Sequence, residues 1–132
     1  GVHQSTPVGT PATVADNDHG ATSTVTVGSL NADDLILDFL YTACQTGATE
    51  AGSGPGANQT ERSQEVYAGG GFSLFFGTST QSGADGGVMS WTTNVPNDYA
   101  CVLGAVAFKV AATVGSFAFP QQSQSLRATM RR

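Results

Sequence analysis

Charge is what this sequence has least of. Acids number ten and Lys plus Arg five in 132 residues, about 11% of the chain, against roughly 25% in an average domain. Surface helices carry Glu, Lys and Arg in i,i+4 pairs, so this scarcity argues against them. Basic charge is scarcer still. Before the last six residues only Arg62 and Lys109 stand against all ten acids, a net of −8, which argues against a phosphate-binding face and hence against nucleic-acid binding. No apolar run approaches about 18 residues, so no transmembrane helix is expected. The only histidines, His3 and His19, do not stand beside a Ser or Cys in a nucleophile motif, and GxSxG is absent. The Gly-rich stretches lack the Lys-Ser/Thr ending of a P-loop. Neither Cys44 nor Cys101 has a CxxC partner, so zinc is not indicated.

What remains is rich in Gly (17 residues), Thr, Ser and Val. That composition suits short strands joined by tight turns. The length is that of one domain, long enough to bury roughly 68% of its unfolded surface around one core. After an irregular lead-in over residues 1–20, the alternation in Thr22–Val27 predicts a half-buried strand, and Leu35–Cys44 a nearly continuous apolar one. Residues 47–58 read as a flexible Gly-rich loop, Gln59–Tyr67 as an exposed strand and Phe72–Phe76 as a core or edge strand. Residues 77–87 read as a polar loop. Val88–Thr93, Tyr99–Val110 and Val114–Phe119 complete the set. About seven strands spaced by turns predict an all-β antiparallel β-sandwich. Leu35–Ala43, Val88–Thr93 and Tyr99–Lys109 are expected to form its inner sheet core, with Leu37, Phe39, Val102 and Val106 pointing inward, where truncation to Ala would cost about 2–5 kcal/mol.

Several residues invite a functional reading. Asp16-Asn17-Asp18 with His19 offers oxygen ligands to Ca²⁺, but the full calcium loop is missing and an Asx-turn accounts for the cluster. Otherwise no cofactor is expected. Glu61 and Glu65, four apart, could share a strand face as glycosidases require; among Arg62, Ser63 and Gln64 they read as a solvated face. Trp91, Tyr99, Tyr67 and Tyr41 could stack on sugar rings, with Trp91 and Tyr99 the better candidates, although a Trp alternating with Met89 is more often core. Asn58-Gln59-Thr60 matches the glycosylation sequon. Cys44 and Cys101 lie in core-like strands, and a disulfide or a buried thiol pair are equally open. Arg127, Arg131 and Arg132 form a basic tail that reads as a soluble terminus. Gly1 at the start, with no signal peptide, reads as a processed chain or a fragment.

With the strands placed, Met89-Ser90-Trp91-Thr92, a polar turn, Tyr99-Ala100 and the closing Ala107-Phe108-Lys109 resemble a module found near the C-termini of large bacterial surface proteins and phage tail or fibre proteins. That module is a jelly roll of the concanavalin-A-like and laminin-G-like type. Residues 1–7 (GVHQSTP), the Thr-Val-Thr-Val strand leading into Leu35–Phe39, and Asn58–Arg62 agree with it, so the resemblance spans roughly residues 1–110. It implies no catalytic set. It implies a non-enzymatic structural module of an extracellular fibre, filament or virion surface, or alternatively a carbohydrate-binding adhesion module. The module's opening strands are missing here, and residues 111–132 run past its usual end. Partners are therefore expected to be copies of the chain, a neighbouring structural subunit or a glycan, with no nucleic acid and no membrane insertion. Val114, Phe117 and Phe119 are the expected assembly strand, crossing to a neighbour unless they fold back onto their own sheet.

Overall fold

The computed structural model describes residues 5–16, 22–45, 49–69, 71–94 and 98–111. Eight strands follow in order: β1 (Ala12–Asp16), β2 (Thr22–Thr26), β3 (Leu35–Gln45), β4 (Thr49–Pro55), β5 (Thr60–Gly69), β6 (Phe72–Ser82), β7 (Val88–Asn94) and β8 (Asp98–Phe108), with one 3-10 turn at Gly83–Asp85. They form two antiparallel sheets, ordered β1-β8-β3-β6-β5 and β2-β7-β4. The sheets pack face to face as a sandwich, the expected class. Both sheets contribute to one core, in which Ile36, Leu40, Phe75, Leu103 and Ala107 of the large sheet meet Val25, Met89 and Trp91 of the small one.

Two strands were hidden by their composition. β1 lies in what reads as an irregular lead-in, and β4 in the Gly-rich stretch expected to be a loop. Both are sheet edges, where neighbours supply order that local propensity does not. β6 also runs on to Ser82, through residues expected to be a polar loop. Its Thr and Ser residues pair with β3 on one side and β5 on the other. The segment Val114–Phe119 falls outside the described residues.

The central correction concerns which side of β3 and β8 turns inward. Leu37 and Val106 are half-buried, and Phe39 and Val102 are exposed, Phe39 by 48%. The inward set is the other one: Ile36, Asp38, Leu40, Thr42 and Cys44 on β3, and Cys101, Leu103, Ala105 and Ala107 on β8. Because side chains alternate along a strand, choosing the wrong parity inverts every assignment at once. Both parities of β3 are apolar, so hydropathy alone favoured the wrong one. Nor do the three strongest apolar runs form one sheet: β3 and β8 are neighbours in the large sheet, and β7 faces them from the small one.

Trp91 is the keystone of the interior. It is fully buried, edge-on to Phe75 with ring centroids 6.2 Å apart. Its ring packs against Gly77, where a Cβ would stand 2.6 Å from the indole, so a glycine in mid-strand here makes room for the ring. Cys44 and Cys101 are buried thiols not joined to each other, and the Cys101 thiol lies 2.9 Å from the Ser23 hydroxyl.

The inverted parity has a measurable consequence. Leu40→Ala should cost about 2–5 kcal/mol in urea unfolding, as a large-to-small change in a packed core does. Leu37→Ala should cost clearly less. Equal costs would contradict the assignment of faces.

Candidate functional site

In a two-sheet sandwich each strand normally alternates apolar-in with polar-out. Strand β2 of the small sheet obeys, although Val88 of β7, opposite Thr26, is exposed. The outward residues on β2 are Thr22, Thr24 and Thr26, and Thr22 and Thr92 hydroxyls pair across the strands at 3.2 Å. The large sheet does not. The register β3 with β6 and β8 places Leu35, Leu37, Phe39 and Tyr41 beside Phe108, Val106, Gly104 and Val102 on one flank, and Tyr41 and Ala43 beside Phe76 and Leu74 on the other. All of these face outward. Phe39 and Tyr41 both lean on Phe76, at centroid distances of 6.4 and 5.4 Å. Tyr67 of β5, opposite Leu74, and Phe72 extend the surface to the sheet's edge, Tyr67 being 61% exposed.

The central strands are eleven residues long. At about 3.3 Å per residue and about 4.8 Å between strands, five strands cover roughly 35 by 20 Å, about 700 Å². That approaches the roughly 800 Å² that each partner contributes to a standard protein interface. Tyr67 and Phe72 stand exposed at one end of the face. Between β1, β8 and the middle of β3 it dips into an open groove of about 430 Å³ lined by Val8, Pro11, Thr13, Leu37, Phe39 and Val106 among others.

Beneath this face sits the reason for it. Asp38, in the middle of β3, points into the core and is 1% exposed. Its Oδ1 accepts from the Ser79 backbone N–H at 2.6 Å, and its Oδ2 accepts from the Trp91 indole N–H at 2.9 Å and the Gln59 amide at 3.1 Å. Gln59 also donates to the Ser79 hydroxyl at 2.7 Å and accepts from the Ser90 N–H at 2.8 Å. The network therefore ties β3 and β6 of one sheet to β7 of the other. Burial pushes the Asp38 carboxyl above its usual range, and the hydrogen bonds from Ser79, Trp91 and Gln59 act against that shift.

A second buried carboxylate fixes the end of β8. Asp34 accepts from the Asn31 N–H at 2.8 Å, the Lys109 ammonium at 2.9 Å and the Val110 N–H at 3.1 Å. Lys109 also donates to the Ser29 carbonyl. These bonds, the Asn31 N–H first, hold the Asp34 pKa down at about 2 against the opposing effect of burial.

The residues singled out in the sequence fare unevenly. Trp91 is spent in the core and cannot stack on a ligand, which corrects that expectation. The backbone of Tyr99 belongs to β8, but its side chain lies outside the described residues, as do Val114, Phe117, Phe119, His3, His19 and the side chains of Asp16, Asn17 and Asp18. Among the described residues no group of three or more His, Cys, Asp or Glu could hold a metal ion. Glu61 and Glu65 do not share a face. A register shift between Glu61 and Ser63 sets Glu61 opposite Ser79 and Glu65 opposite Phe76, on rows of opposite parity. Asn58 is exposed with φ of 62°, in the turn before β5. Sequence reasoning missed Leu35, Phe72, Leu74 and Phe76 as surface residues. No local signal marks them: Asp38, on the opposite row of β3, reads in the sequence as a surface residue and so points the wrong way. The chain matches no protein-family model, no curated protein and no solved structure.

The two buried carboxylates predict opposite responses to acid. Asp34 has a folded pKa below its unfolded value, so its contribution to stability is complete above about pH 4 and is lost as the pH falls toward about 2. Asp38 has a raised pKa, so its protonated form favours the fold at low pH, and that contribution is lost as the pH rises through the folded pKa. Asp34→Asn should therefore lower the urea midpoint at neutral pH and flatten its decline between about pH 4 and about pH 2. An unchanged decline would show that Asp34 does not carry it.

Proposed function

We propose that this domain is a non-catalytic structural module of an extracellular or virion-surface assembly, held there through the outer face of its large sheet. The observation that carries this reading is the asymmetry between the two sheets. The described outer face of the small sheet carries threonines with the single large apolar residue Val88. The other presents Leu35, Phe39, Tyr67, Phe72 and Val102 to solvent. Soluble monomers rarely expose contiguous apolar patches beyond a few hundred Å², and larger ones mark interaction sites. The low overall charge supports the same reading, since it weakens the repulsion that keeps domains apart. The resemblance of the chain's later strands to modules of surface and fibre proteins supports the location.

The face is the attachment surface, rather than a free sheet edge as the sequence led one to expect. The two edge strands of the large sheet are poor recruiters: β1 is five residues long, and β5 is polar and broken by its register shift. Short or irregular edges of this kind resist strand addition. The carbohydrate-binding alternative loses Trp91 to the core and, among the described side chains, retains Tyr41, Tyr67 and the neighbouring phenyl rings, Tyr99 lying outside them.

The aromatic end of the face provides the test. Tyr67→Lys combined with Phe72→Asp alters exposed side chains and leaves the buried core intact. Light scattering on the full chain should show an assembly that the double variant reduces to monomers, with an unchanged circular dichroism spectrum. A parent chain that remains monomeric across the concentration range, or an assembly indifferent to both charges, would overturn the proposal.

A further inference from the structure

The outer face of the large sheet has a groove toward its β1 edge and exposed aromatic rings at the far end of its β5 edge. We propose that the partner of this face is a second copy of the chain. The two large sheets stack face to face about a two-fold axis, and the Tyr67–Phe72 corner of each copy seats in the groove of the other. This rests on the reading that the outer face is the attachment surface.

Strand register places the two features. The groove is lined by Thr13 of β1, Gly104 and Val106 of β8, and Leu37 and Phe39 of β3. Its centre therefore lies over β8, in the row of Asp38. Tyr67 lies opposite Leu74, and Leu74 opposite Ala43. Across the sheet, β5 stands three strands from β8, about 14 Å, and from the row of Asp38 to that of Ala43 is about 16 Å. The line joining groove and corner thus runs at about 45° to the strands. A two-fold axis that exchanges them lies between the faces, at right angles to that line. It sets the strands of the two copies at about 90°, one of the two ways in which sheets stack. The axis passes between β3 and β6 beside Tyr41 and Phe76, whose ring centroids are 5.4 Å apart. Aromatic rings then occupy the middle of the interface, where binding energy concentrates.

Shape and charge agree with this pairing. Gly104 lies on the outward row between Phe39 and Thr13. Its φ is not positive, and a Cβ there would meet only the Thr13 methyl, at an ordinary 3.7 Å. What glycine does here is leave the groove's floor open. At the other corner, a Cβ on Gly69 would stand 3.3 Å from the Tyr67 hydroxyl, so the tyrosine ring lies over the strand and adds a layer to the face. Gly69 is itself opposite Phe72. Along the outward rows of β3, β6 and β8 no described residue is charged, and Glu65 stands on the edge strand. Two copies therefore bring no like charges together at the axis, although each chain carries −5. The face's roughly 700 Å² is close to what one partner of a stable pair buries. A two-fold pairing uses the groove and the corner twice and closes on itself.

The test uses the full chain and two charges of opposite sign. Thr13→Glu puts a carboxylate on the wall of the groove, and Tyr67→Lys puts an ammonium on the corner that enters it. Both positions are exposed, so the circular dichroism spectrum should not change. Native mass spectrometry of the parent should show a dimer of 13.4 kDa chains and no larger species as the concentration rises. Each variant alone should raise the dimer Kd at least about tenfold. Mixed in equal amounts, the two should form a dimer with one chain of each, tighter than either variant's own. In that mixed pair the introduced ammonium meets the introduced carboxylate at one contact, and the other contact is the parent's. Pro11→Glu, on the same wall, gives the same test should Thr13→Glu not fold. A dimer indifferent to the charge in the groove, or a mixture no tighter than its components, would overturn this pairing and leave the assembly proposal standing. Species that grow beyond a dimer would do the same, since they require an open stack. A parent chain that stays monomeric would overturn both.

Discussion

One carboxylate decides which way the largest strand of this protein faces. β3 has two rows of side chains. Leu35, Leu37, Phe39, Tyr41 and Ala43 form the more apolar row, and Ile36, Asp38, Leu40, Thr42 and Cys44 the less apolar. Burial by hydropathy alone would put the first row inside. The second is inside because Asp38 finds three donors there, from Ser79 on the neighbouring strand, Trp91 on the opposing sheet and Gln59 in the turn just before β5. A buried carboxylate without such partners would be strongly destabilising, and with them it becomes specific to one register. A slip of one residue would carry Asp38 out, strip Trp91 of its acceptor and remove the Trp91 ring's seat over Gly77. The network thus acts less as a source of net stability than as a device that makes one parity the only workable one.

The choice made in β3 spreads through the sheet. β6 and β8 pair with β3 along nearly its whole length, so Phe76, Leu74, Val102 and Val106 turn outward with Phe39. The apolar outer face is therefore a consequence of the polar centre of the core. The small sheet, which donates Trp91, keeps the ordinary alternation along β2, with a threonine-rich exterior there. The second buried carboxylate, Asp34, performs a related task at the sheet's end. It anchors Lys109 and Val110, and so sets the place at which the chain leaves the large sheet, next to Val8 and the groove.

Much of the architecture was legible in the sequence. The scarcity of charge, the spacing of Gly and Asn turns and the alternation in Thr22–Val27 led to an all-β sandwich with most strands near their observed positions. The missed strands, β1 and β4, are edges whose Gly, Ala and Thr content carries little local signal; their order comes from pairing with β8 and β7. The parity of β3 and β8 was illegible for another reason. Hydrophobic periodicity identifies an inner face only when the other face is polar, and here both are apolar. Asp38 then looks like a surface residue interrupting an apolar run, and its partners lie 21, 41 and 53 residues away in sequence. Trp91 was rightly suspected of being core, yet its role as the donor that holds Asp38 depends on tertiary contacts that no local pattern announces. The candidate surface was misread for the same reason, since Phe39 and Val102 were assigned to the interior they turn away from.

The central claim is that Asp38 and Trp91 meet inside the sandwich and so turn the apolar row of β3 outward. Hydrogen exchange of the Trp91 indole N–H tests it most directly. A proton donated at 2.9 Å to a carboxylate in a fully buried setting should exchange only when the whole domain unfolds, with a free energy equal to that of global unfolding. Exchange at the rate of a solvent-exposed indole would place Trp91 outside the core, reverse the parity of β3 and remove the apolar face on which the functional account stands.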